Sequence, residues 1–332
     1  MRRFRVSLPT PQELSLGFIT ILWGGTYYVL HIAMQSSGPL FFVGARFVAA
    51  ALIVSLLTGW KSLRKITASE IRHGCLIGAA LVSGFALQSS GLMTISSSRS
   101  AFLTALYVPL VPILQWIILR RAPSFMSWIG IGCAVVGLTL ISNPFQGSFS
   151  FGRGDALTLV ATVAMALEIL FIGMFAGNAD SRRITIVQLV FGAILAFAAM
   201  PLFGEHVPSF SWGWASCALG MGLLSAVVQL VMNWAQRSVS PTRATMIYAT
   251  EPVWGGLVGY LVGEALPSTT LLGAAFIVGG VVCSEIRPNW PRLRRTFRGA
   301  VARGNRIPAM SEFVIRDFDE EKSRQKSSQE TR

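Results

Sequence analysis

The sequence predicts an all-α, polytopic membrane protein whose ten transmembrane helices form two inverted five-helix repeats. Three observations lead there. About ten mostly apolar stretches are separated by short polar breaks, and each is near the ~20 residues that cross ~30 Å of hydrocarbon. Lys and Arg gather in every second break. The chain also aligns with itself at an offset of 143 residues. Composition agrees, because 52% of residues are hydrophobic and 13% charged, where a soluble domain carries ~25% charge. A net charge of +13 would suggest nucleic acid in a soluble protein. Here the basic residues sit at segment ends and in the tail, which is membrane topology rather than a nucleic-acid face.

The expected helices cover residues 14–34, 39–58, 74–95, 100–119, 127–142, 155–176, 185–203, 212–234, 241–262 and 269–286. The first follows Arg2, Arg3 and Arg5. It is too long for a signal peptide, contains Trp23, Tyr27 and Tyr28, and lacks a small-residue cleavage site. The third carries Gly74 and Gly78, a four-residue step that favours close helix packing, and the ninth carries Gly255, Gly259 and Gly263. The fourth and ninth are interrupted by Pro109, Pro112 and Pro252, which remove ladder hydrogen bonds and mark these helices as candidate cavity walls. The sixth begins at Asp155, which suits the positive end of a helix dipole. Four cysteines (Cys75, Cys133, Cys217, Cys283) lie within apolar segments, with neither a disulfide framework nor metal-ligand spacing. From Arg287 onward the chain is polar and charge-mixed, with Arg292, Arg294, Arg295 and Arg298 placed to meet anionic headgroups.

Orientation follows from the charges. The N-terminus, the second loop (Lys61, Arg64, Lys65, Arg72), the fourth (Arg120, Arg121), the sixth (Arg182, Arg183) and the eighth (Arg237, Arg243) are basic, and the odd loops hold only Arg99 and Arg153. Both termini are therefore expected in the cytoplasm. The expected organisation is a cytoplasmic N-terminus at 1–13, a first five-helix repeat at 14–142, an extracytoplasmic linker at 143–154, a second repeat at 155–286 and a cytoplasmic tail at 287–332. The internal alignment pairs Ala101 with Ala244, Pro109 with Pro252, Gly130 with Gly273, Val135 with Val278 and Gly137 with Gly280. Five spans per copy is an odd number, so the second copy enters the membrane with opposite polarity, the arrangement that alternating access exploits.

These residues carry a resemblance. Leu22-Trp23-Gly24-Gly25-Thr26-Tyr27, the run from Ser100 to Pro109, the Arg121 to Gly137 stretch, and Ala244 to Gly263 with its Tyr248-Ala249-Thr250-Glu251-Pro252 core and following Glu264 occur in an order and spacing that resemble the drug/metabolite transporter superfamily with two EamA-type halves, across about residues 14–286. The resemblance implies ten helices in two inverted halves and the export or exchange of small metabolites, amino acid-like or amphipathic and aromatic. Two departures stand out. Where the family often has an aromatic residue in the sixth helix, this chain reads Met165-Ala166-Leu167-Glu168. The fourth helix ends in Arg120-Arg121 instead of a Gly-Glu pair.

A charge at mid-bilayer costs ~2.5–3.5 kcal/mol on insertion scales and so faces a partner or a wet cavity. Arg46, Glu168 and Glu251 are the three such residues and form the central site expectation. A carboxylate withdrawn from water can take up and release a proton near neutrality. An arginine offers a fixed fork to a substrate carboxylate. The structural alternative is an ion pair that locks helices together. Tyr107, Tyr248, Gln88, Trp23 and Tyr27 are the further candidate lining residues. Gln115, Gln188, Gln229 and Asn233 are additional intramembrane amides that serve either as lining or as interhelical glue.

Other classes fit less well. Gly152-Arg153-Gly154-Asp155 echoes an intramembrane aspartyl protease string, but no second membrane aspartate exists to share a proton. No histidine–nucleophile order and no phosphate-cradling lysine loop is visible. An enzyme, a cofactor and a metal are not expected. A channel or a lipid flippase is the alternative to a secondary transporter. The expected partners are a small-molecule substrate, protons as a candidate coupling ion and membrane lipid, for a monomer or homodimer in the plasma or inner membrane.

Overall fold

In hydrocarbon an unpaired backbone N–H or C=O finds no water, so apolar runs close their hydrogen bonds within helices. The computed structural model describes residues 9–24, 37–95, 97–120, 122–142, 151–254 and 268–285, together with Thr26, Val29, Ala33 and Leu257. All belong to one unit, Arg5–Ile286. Among the described residues the secondary structure is entirely helical: α1 (Pro11–Gly24), α2 (Pro39–Thr58), α3 (Ala68–Leu92), α4 (Ser97–Ala105), α5 (Tyr107–Leu119), α6 (Phe125–Ser142), α7 (Arg153–Phe175), α8 (Ser181–Ala199), α9 (Trp212–Ala235), α10 (Pro241–Tyr248) and α11 (Ser268–Glu285), with short helical turns between some of them. Six stretches are long and apolar enough to cross a bilayer, namely Pro39–Thr58, Ala68–Leu92, Phe102–Leu119, Arg153–Phe175, Ser181–Phe203 and Trp212–Ala235, with Phe125–Leu140 and Leu271–Cys283 as shorter apolar helices. The expected first and ninth spans run partly outside the described residues, as do Tyr27, the Gly255 to Gly263 steps and the basic tail.

Two helices begin earlier than hydropathy suggests because polar caps extend them. α3 starts at Ala68 rather than 74, where Thr67 and Glu70 form a reciprocal capping box. α8 starts at Ser181 rather than 185, with the Asp180 carboxylate accepting from the Arg182 and Arg183 N–H groups at 3.0 and 3.3 Å.

The fourth span is not one helix. It breaks at Leu106, between α4 and α5. Proline clashes with the carbonyl four residues before it, and for Pro109 that residue is Ala105, the last of α4. Pro112 lies inside α5. The same event recurs after α10, whose last residue, Tyr248, stands four before Pro252, with a turn at Ala249–Thr250 and helix again from Glu251.

Helix directions follow from contacts. α3 and α7 are antiparallel, since His73 stacks on Phe175 at 4.1 Å and Gly91 lies against Gly154 and Thr158. α3 and α8 are parallel, with Gly74 and Gly78 against Ile184 and Gln188. α2 runs antiparallel to α8 (Gly44 on Phe197, Phe47 on Gly192) and parallel to α9 (Phe41 on Trp214, Ala49 on Gly222). α6 and α11 are antiparallel and nearly touch backbones. A Cβ on Gly137 would lie 2.5 Å from the Gly273 carbonyl oxygen, and one on Gly280 would lie 2.6 Å from that of Gly130.

The outer surface is apolar. Leu52 and Leu56 of α2, Trp116 and Ile117 of α5, and Ile194 of α8 are exposed, apolar surface that belongs against lipid rather than water. The interior instead holds Arg46, Gln88, Glu168, Gln188, Gln229 and Asn233, each buried.

The glycine contact between α6 and α11 has a direct test. Gly137→Val is expected to force these backbones apart and cost about 1–3 kcal/mol as an overpacking substitution. Gly132→Ala, on the same helix with open space around it, is expected to leave the melting temperature in detergent within a degree or so of wild type.

Candidate functional site

α2 and α9 approach closely because Gly222 admits the Arg46 carbonyl, which would lie 3.0 Å from a Cβ there. That contact brings the Arg46 side chain beside Ser225. The guanidinium Nε donates to Ser225 Oγ at 2.7 Å, and the serine hydroxyl donates in turn to the Met221 carbonyl at 2.7 Å. The Arg46 guanidinium carbon also stands 4.2 Å from the Phe85 ring centroid, a cation–π contact from α3. With Nε engaged and one face on an aromatic ring, the guanidinium is held in one plane. Its two terminal nitrogens donate to no described residue and are available to a planar acceptor.

Glu168 of α7 lines the same cavity. Its Oε1 accepts from Gln229 Nε2 at 2.9 Å. Arg46 attracts it through space, but the two do not form the bonded ion pair that the sequence left open. Their partners are neutral: a serine and an aromatic ring for Arg46, an amide for Glu168. Ser225, Gln229 and Asn233 share one face of α9 at four-residue spacing, and Gln188 of α8 inserts among them.

The cavity, with about 70 Å³ of internal space, lies between helices of the two halves of the chain and is lined by Trp23, Thr26, Arg46, Phe47, Phe85, Gln88, Thr104, Tyr107, Met165, Glu168, Ile169, Met221, Leu224, Ser225, Val228, Gln229, Met232 and Glu251. Of the residues expected from sequence, Arg46, Glu168, Glu251, Tyr107, Gln88 and Trp23 therefore meet there. Gln88 donates to Thr104 Oγ1 at 2.9 Å, which ties α3 to α4 just before the chain break. Thr162 of α7 donates to the Leu103 carbonyl at 2.9 Å, satisfying backbone at that break as the membrane requires. Tyr248 is fully buried one layer behind the lining. Trp23 meets its ring edge-on at 5.5 Å, and Gln236 Nε2 donates to its hydroxyl at 3.3 Å. Pro112 is buried, whereas Pro109 and Pro252 are partly so. None of the three prolines lines the cavity directly. Tyr27 lies outside the described residues.

Sequence reasoning missed Ser225, Phe85, Phe47 and the methionines Met165, Met221 and Met232. Ser225 was legible in principle, because it continues the polar stripe of Gln229 and Asn233 by one turn. Phe85 was not, since one phenylalanine in an apolar span looks like any core residue until the arginine is seen on its face.

Comparison with known proteins accords with this geometry. The sequence profile of the EamA-like transporter family matches residues 13–143 and again residues 152–285. The chain belongs to the EamA-like transporter family. Relatives include an uncharacterized transporter of Archaeoglobus fulgidus, 26% identical over 83% of this chain and 86% of that protein. The uncharacterized inner membrane transporter YedA of Escherichia coli K12 is 28% identical over 84% of this chain and 92% of YedA. A solved crystal structure shares the fold with a TM-score of 0.67 at 17% identity, covering 85% of this chain and 97% of that one. This EamA-like chain is thus a multi-pass membrane transporter and not an enzyme, with the cavity between its two family segments.

The Arg46 anchor yields a prediction. Ser225→Ala leaves a buried guanidinium N–H without its acceptor and is expected to cost about 1–3 kcal/mol. Ser225→Thr, which keeps the hydroxyl, should retain most of that stability in detergent unfolding.

Proposed function

We propose that this EamA-like protein is a secondary transporter that exports or exchanges a small amino acid-like or amphipathic aromatic metabolite by alternating access, with a proton carried on Glu168. The observation that carries the reading is an interior cavity holding a buried arginine whose terminal nitrogens donate to no described residue and a buried carboxylate, walled by Trp23, Phe47, Phe85 and Tyr107. A substrate carboxylate suits the Arg46 fork, an amine suits Glu168 or Glu251, and an apolar side chain suits the aromatic wall. Arg46 and Glu168 are buried inside the bundle rather than on its lipid-facing surface, which speaks against a flippase.

The mechanism we infer uses two inverted five-helix repeats. Helix direction supports it: α2 and its repeat counterpart α8 run oppositely, as do α6 and α11. Local contacts exchange under the 143-residue offset, because Gly137 meets Gly273 while Gly280 meets Gly130. A closed shape at one end then has an equivalent closed shape at the other. We assign the basic end to the cytoplasm, with both termini there. At that end two ion pairs reach the second repeat: Glu70 of the first repeat with Arg183 at 2.8 Å, and Glu13, in the first turn of α1, with Arg243. On this reading these pairs are contacts that part when the cavity opens toward the cytoplasm.

The reading is tested in proteoliposomes with radiolabelled L-phenylalanine as probe. Counterflow, saturation and acceleration by an imposed proton gradient are expected, whereas a channel would show flux without counterflow. Glu168→Gln should abolish the proton-gradient dependence while retaining exchange. An unchanged pH dependence removes Glu168 from the coupling role.

Arg46→Met is expected to weaken half-saturation at least tenfold, about 1.4 kcal/mol. Arg46→Lys should fail to restore it, because a lysine has neither the Nε that Ser225 holds nor the planar face that Phe85 covers.

A further inference from the structure

The amides beside Glu168 form a directed chain. Asn233 Nδ2 donates to Gln188 Oε1 at 3.1 Å, Gln188 Nε2 donates to Gln229 Oε1 at 2.7 Å, and Gln229 Nε2 donates to Glu168 Oε1 at 2.9 Å. Each residue is at most 4% exposed, so water does not compete for these bonds. The far end of the chain is pinned as well. Asn233 Nδ2 also donates to the Gln229 main-chain carbonyl at 2.9 Å, and Ser181 Oγ donates to the Asn233 carbonyl at 3.3 Å.

Turning the Asn233 amide over would place its oxygen against that main-chain carbonyl and lose both donor bonds. Asn233 is therefore fixed as a donor, and its buried Oδ1 has no partner among the described residues. A fixed donor at Asn233 forces Gln188 to accept with its oxygen and donate with its nitrogen. Gln188 imposes the same polarity on Gln229. Every amide then points its N–H toward the carboxylate, and the polarity is set from both ends.

We propose that Gln188 and Asn233 are positioning residues that hold Gln229 as a permanent donor to Oε1 of Glu168, and so reserve Oε2 for the exchanging proton and for a substrate cation. Oε2 accepts no hydrogen bond from a described residue, and Glu168 borders the cavity. The charged and titratable groups around Glu168 are Arg46 from α2, Tyr107 from α5, Tyr248 from α10 and Glu251 just beyond α10. The charged and histidine side chains of α3 (Glu70, Arg72, His73) lie in its first two turns, and α9 contributes only the amides at this depth. A protonated Glu168 would gain from a neighbour able to accept its hydrogen, and Gln229 is barred from turning to do so. The ladder thus keeps the ionised form supplied with a charge-assisted bond, whichever state the cavity is in. This rests on the reading of Glu168 as the proton-carrying carboxylate.

Infrared pH titration of the full chain in liposomes tests it without substrate, with the Glu168→Gln spectrum subtracted to isolate the protonated carboxyl band of Glu168. Asn233→Leu and Gln188→Met each release Gln229 to turn its carbonyl toward the protonated acid. Each should move the half-development of the band to higher pH by about one unit. Both variants should also melt earlier, and a merely structural role would do only that. The two substitutions lie on different helices, so one carries the test if the other does not assemble. A midpoint unmoved in the assembled variant overturns the positioning role while leaving the proton reading intact. A wild-type protein in which no Glu168 band titrates while the fold persists overturns both.

Discussion

Two opposite charges, Arg46 and Glu168, stand inside a bundle whose outer face is hydrocarbon, and most of the interior is arranged around the cost of keeping them there. Neither is neutralised by the other at close range. Arg46 spends one donor on Ser225 and one face on Phe85, and Glu168 is held by an amide. A closed ion pair would occupy the donors and acceptor lone pairs that face the cavity and leave fewer of them for a ligand. Neutral partners hold each charge in place and keep its remaining capacity open. This choice also explains why α2 and α9 must touch at Gly222, since a side chain there would move Ser225 away from the guanidinium.

The helix breaks serve the same cavity. Pro109 and Pro252 occupy equivalent places in the 143-residue alignment, and each interrupts its helix four residues upstream rather than at the ring itself. The freed carbonyls need donors in a water-poor interior. Thr162 Oγ1 donates to the Leu103 carbonyl, which the Leu106 N–H also reaches, and near the second break Thr250 Oγ1 donates to the Ile247 carbonyl at 2.7 Å. Tyr107 begins the helix after the first break and Glu251 the helix after the second, so both reach the cavity because continuous helix has ended just before them.

Much of this was legible in the sequence, but unevenly. α2 is bounded by Gly38-Pro39 and Gly59, and hydropathy places it at 39–58. The starts of α3 and α8 were not found by hydropathy, because Glu70, Arg72, His73 and Arg182–Arg183 read as loop. Their signals were local, a Thr-x-x-Glu box and a capping aspartate. Intramembrane charge pointed to Arg46, Glu168 and Glu251, since charge in an apolar run is rare enough to carry information. The partners of those charges carried no such signal. Phe85 and Ser225 matter only through an approach of helices distant in sequence, and the polarity of the amide chain depends on one main-chain bond made by Asn233.

Different contacts join the helices at the two ends of the bundle, and on the proposed alternating-access reading the difference bears on how the halves would separate. At the basic end the contacts are ion pairs, Glu70–Arg183 and Glu13–Arg243. At the other end the Glu205 carboxylate accepts from the Leu40 and Phe41 N–H groups at the start of α2, at 3.0 and 2.7 Å. All of these groups are ones that water hydrates well. Separating these pairs into water returns both charges to full hydration, which offsets much of the lost attraction, and a backbone N–H released to water recovers most of its bond. Closures built from such contacts are reversible, whereas closures of interdigitated apolar side chains would cost far more per exposed residue. On the proposed alternating-access reading, the polar character of both ends would keep the difference in free energy between two closed shapes small enough for a proton and a substrate to decide it.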